Sequence, residues 1–505
     1  MATEATDARK VLDADSDDAA TPRRSFRAGA TRLRGIHWLP LVLVAAVGVG
    51  VNLPVRATNL HKPNPSEGLI CSYGNATTIS VTQGTTTTQV VSRSFVLTAR
   101  DGYITTNDGN SIYMWSYAEG DKDFQYPGPF LCAYEGDQVT VTLRNTLKVP
   151  TSIVFTGVPG VKSDGAVSQP DGGAAGPTTS LSQPAAPGSS VTYTFTTAHP
   201  GTFEYASGTD AQLQVQMGMV GGLIVRPSTP AAQCASATPP ASCAYVYNPA
   251  NAANYAYDTP YSKFNTNTEF VHLFSEIDPD LHHWIERGNT SYDWSKYNAR
   301  YFMINGRCFP DDLAPNNVSN QPTQPYGALV HVQARTPSNP DPALVRYLNA
   351  GLVSIPFHAH GNHESTVGID GHELVTASGA DASLDRFDIV VAPGQTVDAQ
   401  FTWVDAQSWQ PDTNPVGVPV PDQQDRLEGP YWNGSPYLGD LQPLATGRVS
   451  YNECGEFYHF AHDHDLIHIT SFGISGGGGQ LTLVRVDPPP NLQAKYGTTC
   501  TVPGK

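Results

Sequence analysis

A chain of 505 residues exceeds one ordinary hydrophobic core and implies two or three domains. Its formal net charge of −17 argues against a nucleic-acid partner, because binding phosphate needs a basic surface. With 41 prolines, 46 glycines and only 15% charged residues, the composition favours an all-β protein of short strands and many turns, without long helices.

The chain opens on a leader, residues 1–57. The run TPRRSFRAGATRLRG is basic, and residues 36–55 then carry no charge at all. A basic flank, an apolar core and a small-residue site together make an export signal. Arg23-Arg24-Ser25-Phe26 resembles the twin-arginine export motif, and Val55-Arg56-Ala57 resembles its cleavage pattern. About 20 apolar residues can also span a bilayer, so an uncleaved membrane anchor is the alternative. Pro40, Asn52 and Pro54 weaken a spanning helix and favour cleavage. Either way the bulk of the chain is expected outside the cytoplasm, periplasmic or extracellular.

Residues 58–91 are polar and Thr/Ser-rich and read as an extended entry segment. Residues 92–229 then show a series of alternating runs: SRSFVLTAR, SIYMWSYA, DQVTVTLRN, TSIVFTGV, SVTYTFTT, GTFEYAS and MVGGLIVRP. Short strands at this spacing, separated by Gly, Pro and Asn/Asp turns, indicate a β-sandwich. Residues 230–264 interrupt the pattern as a linker. A second series fills residues 265–490, through NTEFVHLFSEIDPDL, YFMINGR, YGALVHVQA, LVRYLNAGL, FDIVVAPGQTVDAQFTWV and GQLTLVRVDPP. Within it, residues 405–444 are too rich in Pro and Gly for core and read as an insertion packed near the site. Residues 491–505 form a tail.

All seven cysteines follow the leader, in a compartment where disulfides persist. Cys234 and Cys243 bracket the loop CASATPPASC, whose Pro-Pro turn favours that pairing, and the odd count leaves at least one thiol without an intramolecular partner. None sits in a C-x-x-C or beside a histidine cluster, which argues against a cysteine-ligated metal centre.

Two clusters of histidines carry the chemistry. IPFHAHGNHESTVGIDGHEL holds His358 and His360, and FYHFAHDHDLIHITSFG holds His462 and His464 at the same spacing. On a strand the side-chain period is two, so each pair places both imidazoles on one face of a sheet. Neutral imidazole suits copper, zinc, iron and nickel, and the two pairs brought together make a four-nitrogen site. A lone His-x-His is more often simply a solvated strand; the second pair is what favours the metal reading.

GTFEYASGTDAQLQVQMGMVGGLIVRP resembles the end of the first cupredoxin domain of multicopper oxidases, and YFMINGRCFPDD with LVRYLNAGLVSIPFHAHGNH resembles the opening of a later one. The resemblance implies tandem cupredoxin-like Greek-key β-sandwiches, in an order more similar to two-domain laccases and nitrite reductases than to three-domain laccases. In that family four His-x-His motifs bind three coppers, and a Cys-His-His centre feeds them electrons. Aligned with the first two motifs, Val154 and Thr156, then Ala206 and Gly208, stand at the histidine positions. His358 and His360 match the third motif, His462 and His464 the fourth. Asp463 stands where the electron-transfer cysteine belongs and Ile355 where its upstream histidine belongs, while His468 keeps the spacing of the other histidine. A bacterial branch of multicopper-oxidase-like proteins with SGT in the second motif and no cysteine in the last is more similar still.

The resemblance therefore implies an exported copper oxidoreductase with a reduced His-only site, holding one copper or a close pair. Its partners are expected to be a small-molecule or metal-ion electron donor and dioxygen, and two-domain relatives suggest a homotrimer. His363, His459 and His468 are additional ligand or proton-carrier candidates, and Asp463, on the opposite face of a regular strand, is expected beside the site rather than in it. The alternative is a cupredoxin-fold protein that binds metal without turnover, as a store, carrier or scaffold, which the loss of six expected ligand positions favours. Retention of two complete pairs opposes it, because buried unpartnered histidines carry a desolvation cost.

Overall fold

The computed structural model describes residues 66–83, 86–164, 166–167, 180–227, 254–335, 340–403, 416–418, 429–433, 441–444, 450–451, 457–471 and 478–487. The leader, the Cys234/Cys243 loop and the tail lie outside them. All described residues belong to one compact unit, His61–Lys505. Among them no helix is long and apolar enough to cross a membrane.

The first strand series comprises β1 (Asn75–Gln83), β2 (Thr86–Thr105), β3 (Ser111–Glu119), β4 (Leu131–Tyr134), β5 (Gln138–Asn145), β6 (Val154–Phe155), β7 (Lys162–Ser163), β8 (Ala166–Val167), β9 (Ser190–Thr196), β10 (Gly201–Ala206) and β11 (Val220–Arg226), with a short helix α1 (Ala211–Gln216) before the last. They form one sheet in the order β1-β2-β5-β9-β7-β8, with β3 added to β2, and a second in the order β4-β11-β10-β6. Strand β1 and the start of β2 fall in the entry segment, so its Thr-rich sequence supplies paired strand. Alternation is plain in β5 and β9: Val139, Val141, Leu143, Val191, Tyr193 and Phe195 point into the core while the threonines between them face outward.

The second series is β12 (Glu269–Ile277), helix α2 (Pro279–Glu286), β13 (Tyr301–Ile304), β14 (Val330–Gln333), β15 (Ala343–Asn349), β16 (Ile355–Ala359), β17 (Glu364–Ile369), β18 (His372–Glu373), β19 (Leu384–Arg386), β20 (Asp388–Val391), β21 (Thr396–Phe401), β22 (Val416–Val418), β23 (Gly429–Asn433), β24 (Leu441–Leu444), β25 (Ser450–Tyr451), β26 (Phe457–Asp463) and β27 (Leu481–Asp487). One sheet runs β13-β12-β15-β21-β17-β18, with β19 on β17. The facing sheet runs β14-β27-β26-β16-β20, and β22 to β25 pair among themselves. The parallel neighbours β2/β5, β4/β11, β12/β15 and β14/β27 are far apart in sequence, which is crossover rather than hairpin topology. The run NTEFVHLFSEIDPDL is strand only as far as Ile277. Asp278 then caps α2, accepting the Asp280 amide at 3.0 Å, and Pro279 occupies the first helical position, where its missing N–H costs nothing.

Each sandwich has its own core, and a third cluster joins the two halves. Met114, Phe130, Val220 and Ile224 of the first half pack with Leu273, Tyr301, Met303 and Leu348 of the second. A buried charge network crosses the same seam. Glu269 of β12 accepts from Arg226 of β11 at 2.7 Å and from Arg346 of β15 at 2.8 Å, and Thr202 of β10 donates to Asp398 of β21 at 2.6 Å. Two nearly dry guanidinium groups are tolerated here because carboxylates face them.

Candidate metal centre

Strands β16 and β26 lie side by side and antiparallel, in the register Phe357↔Asp463, His358↔His462 and Ala359↔Ala461. Backbone bonds continue that register at both ends: the His360 N–H donates to Phe460 O at 2.8 Å and the His464 N–H to Pro356 O at 2.8 Å. Alternation then sorts the side chains. Ile355, Phe357, Ala359 and Ala461 fill the second core, leaving His358, His360, His462 and His464 together on the outer face.

Five of the six pairs among the four rings are neighbours. Centroids lie 4.8 Å apart for His358/His360, 5.1 Å for His358/His464, 5.1 Å for His360/His462, 5.8 Å for His358/His462 and 5.6 Å for His462/His464. The Nε2 atoms of His360 and His462 approach to 3.0 Å. Two of the rings are oriented by backbone carbonyls: His358 Nδ1 lies 2.8 Å from Phe387 O, and His462 Nδ1 lies 2.7 Å from Asp463 O. Such bonds hold the proton on Nδ1 and leave a lone pair on Nε2, as metal-binding histidines require; on His462 that lone pair accepts from His360 Nε2. Burial, reinforced by His462, His358 and His464, pushes His360 down to about 4; burial also lowers His462. Both rings are thus neutral at pH 7. No three His, Cys, Asp or Glu side chains among the described residues surround one common point, so the rings adjoin without forming a closed cage.

The remaining sequence candidates lie elsewhere. His459 is on the core-facing side of β26, its ring 4.1 Å from that of Trp403, and burial followed by His360 holds it down to about 3. His363 is exposed in the loop between β16 and β17. Asp463 is fully buried on the core side, accepting from His468 Nδ1 at 2.5 Å and from the Asp465 amide at 2.9 Å. Burial works against the charge on His468, but the Asp463 bond and the charges of Asp463, Asp465 and Glu276 prevail and raise it. Its ring stacks on Phe302 at 4.3 Å. The two polar residues at the positions resembling a Cys-His copper centre are therefore bonded to each other, and Ile355, at the position of the other histidine, is fully buried. In the first sandwich Val154 pairs with Ala206 across β6 and β10. A Cβ on Gly208 would come within 2.5 Å of Val154, so Gly208 is packed against it, while Thr156 is exposed.

Two features had no signal in the sequence. One is the Phe387 carbonyl that orients His358 from the bend just before the neighbouring strand β20. The other is an apolar rim around the histidines: Phe387 and Val390 are each 57% exposed, Leu466 60% and Ile467 70%, with Phe460 alongside. The expected Cys234–Cys243 pair lies outside the described residues. Among the described residues Cys71 of the entry segment is bonded to Cys132 of β4, 61 residues away and with no local turn to announce it.

Two crossover-linked β-sandwiches with a face of clustered imidazoles define a cupredoxin-like protein. Residues 108–230, part of the first sandwich, match the multicopper oxidase family model. No curated protein matches it. Among solved structures it is similar to a blue copper oxidase from Nitrosomonas europaea, at 18% identity over 79% of this chain and 86% of that one, with a TM-score of 0.49. It is also similar to a copper nitrite reductase from the same organism, at 16% identity over 79% and 95%, TM-score 0.43. A third similar structure is a multicopper oxidase from Campylobacter jejuni described as a metallo-oxidase, at 13% identity over 84% and 62%, TM-score 0.43.

Proposed function

We propose that this chain is an exported copper oxidoreductase whose site is the four-imidazole face of His358, His360, His462 and His464, without a cysteine-ligated centre. The observation that carries the reading is the 3.0 Å approach of His360 Nε2 to His462 Nε2. With imidazole–metal bonds of about 2.0–2.1 Å, two ligands at a right angle stand about 2.9 Å apart, so this pair fits one ion. The donor set fits as well, since imidazole nitrogens suit copper. Copper held by His358, His360, His462 and His464 would supply one-electron chemistry there.

The chain's own contribution is orientation and exclusion of water. Phe387 O and Asp463 O hold the His358 and His462 rings with Nε2 directed away from the sheet, and the rim of Phe387, Phe460, Leu466 and Ile467 lowers the local polarity. A small-molecule or metal-ion donor and dioxygen are the proposed partners. The basic and apolar leader supports export, with the leader cleaved or kept as an anchor. The exposed rim supports association of copies, with a homotrimer the assembly suggested by the two-domain relatives.

The second reading, metal binding without turnover, is favoured by the absence of a preformed three-ligand cage among the described residues and by Val154, Thr156, Ala206 and Gly208, none of them a metal ligand, in the first sandwich. Metal analysis of the purified mature protein, with paramagnetic-resonance spectra and oxygen uptake on phenolic, cuprous or manganous donors, tests both. Stoichiometric copper with donor-dependent oxygen uptake is expected. Copper without uptake selects the second reading, and no copper removes both.

A further inference from the structure

Residues 66–73 form a strap laid across both sandwiches. Asn316 holds it through Ser66 O at 2.7 Å and Gly68 O at 2.9 Å, and the Leu69 amide donates to Glu269 O at 2.9 Å. Ser72 then exchanges backbone bonds of 2.8 Å with Phe130 and Cys132, and the Cys71–Cys132 disulfide fastens this end covalently. The other end is fastened by charge. His331 of β14 places Nδ1 2.7 Å from Glu67 Oε2 and Nε2 2.7 Å from Asp487 Oδ2 of β27, with its side chain only 8% exposed.

A neutral imidazole has one N–H and one lone pair, so it can donate to one carboxylate only; donating to both requires the cation. We infer that His331 is a pH-operated latch: as the imidazolium it locks the Glu67 end of the strap to β14 and β27, and on losing its proton it lets residues 66–70 peel away while Cys71 stays bolted. The charges acting on the ring come from the strap, through Glu67, and from β27, through Asp487. Arg485 steadies Asp487 at 2.9 Å and itself lies over the Tyr458 ring of β26. β14, with sequence VHVQ, adds no other charge. After deprotonation a lone pair faces one of the two carboxylates inside a poorly hydrated cleft, which is repulsive.

The sign follows from the shifts. Burial opposes the charge on His331, but the bonds and charges of Asp487 and Glu67 overcome it and raise the ring above its ordinary 6.5. Asp487 is lowered despite its burial, chiefly by the His331 bond. The latch contribution is therefore fully present below the ordinary histidine value, lost as pH rises through the raised one, and lost again in strong acid when Asp487 protonates.

The test is hydrogen exchange on the mature protein, comparing amides of residues 66–70 with those of β12 and β15 as pH is varied, each corrected for intrinsic exchange. In the wild type, protection of 66–70 should fall by up to about tenfold per pH unit above the His331 midpoint while the core amides hold. His331→Gln should leave 66–70 weakly protected at every pH with the core intact. Glu67→Gln, on the strap side, should move the midpoint to lower pH. Protection of 66–70 that is independent of pH, identical in wild type and His331→Gln, or lost only together with β12 and β15 overturns the latch.

Discussion

His360 and His462 bring their Nε2 atoms to 3.0 Å although 102 residues separate them in the chain. The pairing of β16 with β26 is what closes that distance, and a metal reading of this face stands or falls with these two rings.

Removal of either ring should cost metal first. His360→Ala or His462→Ala should weaken copper binding more than about tenfold, the least expected when even an orienting partner of a ligand is lost. The sandwich, held by apolar burial, should stay folded. His372→Ala is the control, because His372 is exposed, pairs with Ile369 across the two-residue Asp370-Gly371 turn, and stacks on His199 well away from β26. Equal copper content in the His462 and His372 variants, measured by metal analysis, would refute the site.

The copper-loaded protein should lack the intense blue absorption of a thiolate-ligated centre, and Asp463→Cys should not create it. Position 463 lies on the opposite face of β26 from the imidazoles, and the residue paired with it across β16 is Phe357, whose side chain has no nitrogen. A visible spectrum of each protein decides; a strong blue band in the wild type means that some cysteine reaches the metal.

Asp463 should matter to the fold rather than to the metal. Asp463→Ala leaves His468 buried without its 2.5 Å partner, so unfolding by denaturant should show a loss of about 3–5 kcal/mol. Copper content should change little. A large loss of copper with unchanged stability would place Asp463 in the metal site instead.

Glu204 of β10 is buried at the seam between the sandwiches, with no hydrogen-bond partner at Oε2 among the described residues, and burial raises it to about 8. Because the unfolded chain ionises near the usual 4.5, this residue contributes stability at low pH that is lost as pH rises from there to about 8. Glu204→Gln should therefore raise the Tm near pH 8 and leave it almost unchanged near pH 4. Thermal melts at the two pH values check this, and a shift of equal size at both would show that the charge is not the cause.

Strand alternation in runs such as DQVTVTLRN and the placing of each His-x-His pair on one face were legible in the sequence, because the strand period of two is a local property. So was Asp463 at a position where a thiolate would be needed for a blue centre, since residue identity needs no coordinates. The tertiary structure alone decided that β16 and β26 are neighbours and in which register. That choice depends on burying Ile355, Phe357, Ala359 and Ala461 against Phe274 and Tyr347 of the facing sheet. It likewise decided that Asp463 turns inward to His468, that Phe387 O aims His358, and that Cys71 meets Cys132. Each of these joins residues brought together by folding of the whole chain, and the free energy that selects them is the burial of two sandwiches and the seam between them, which no short window of sequence contains.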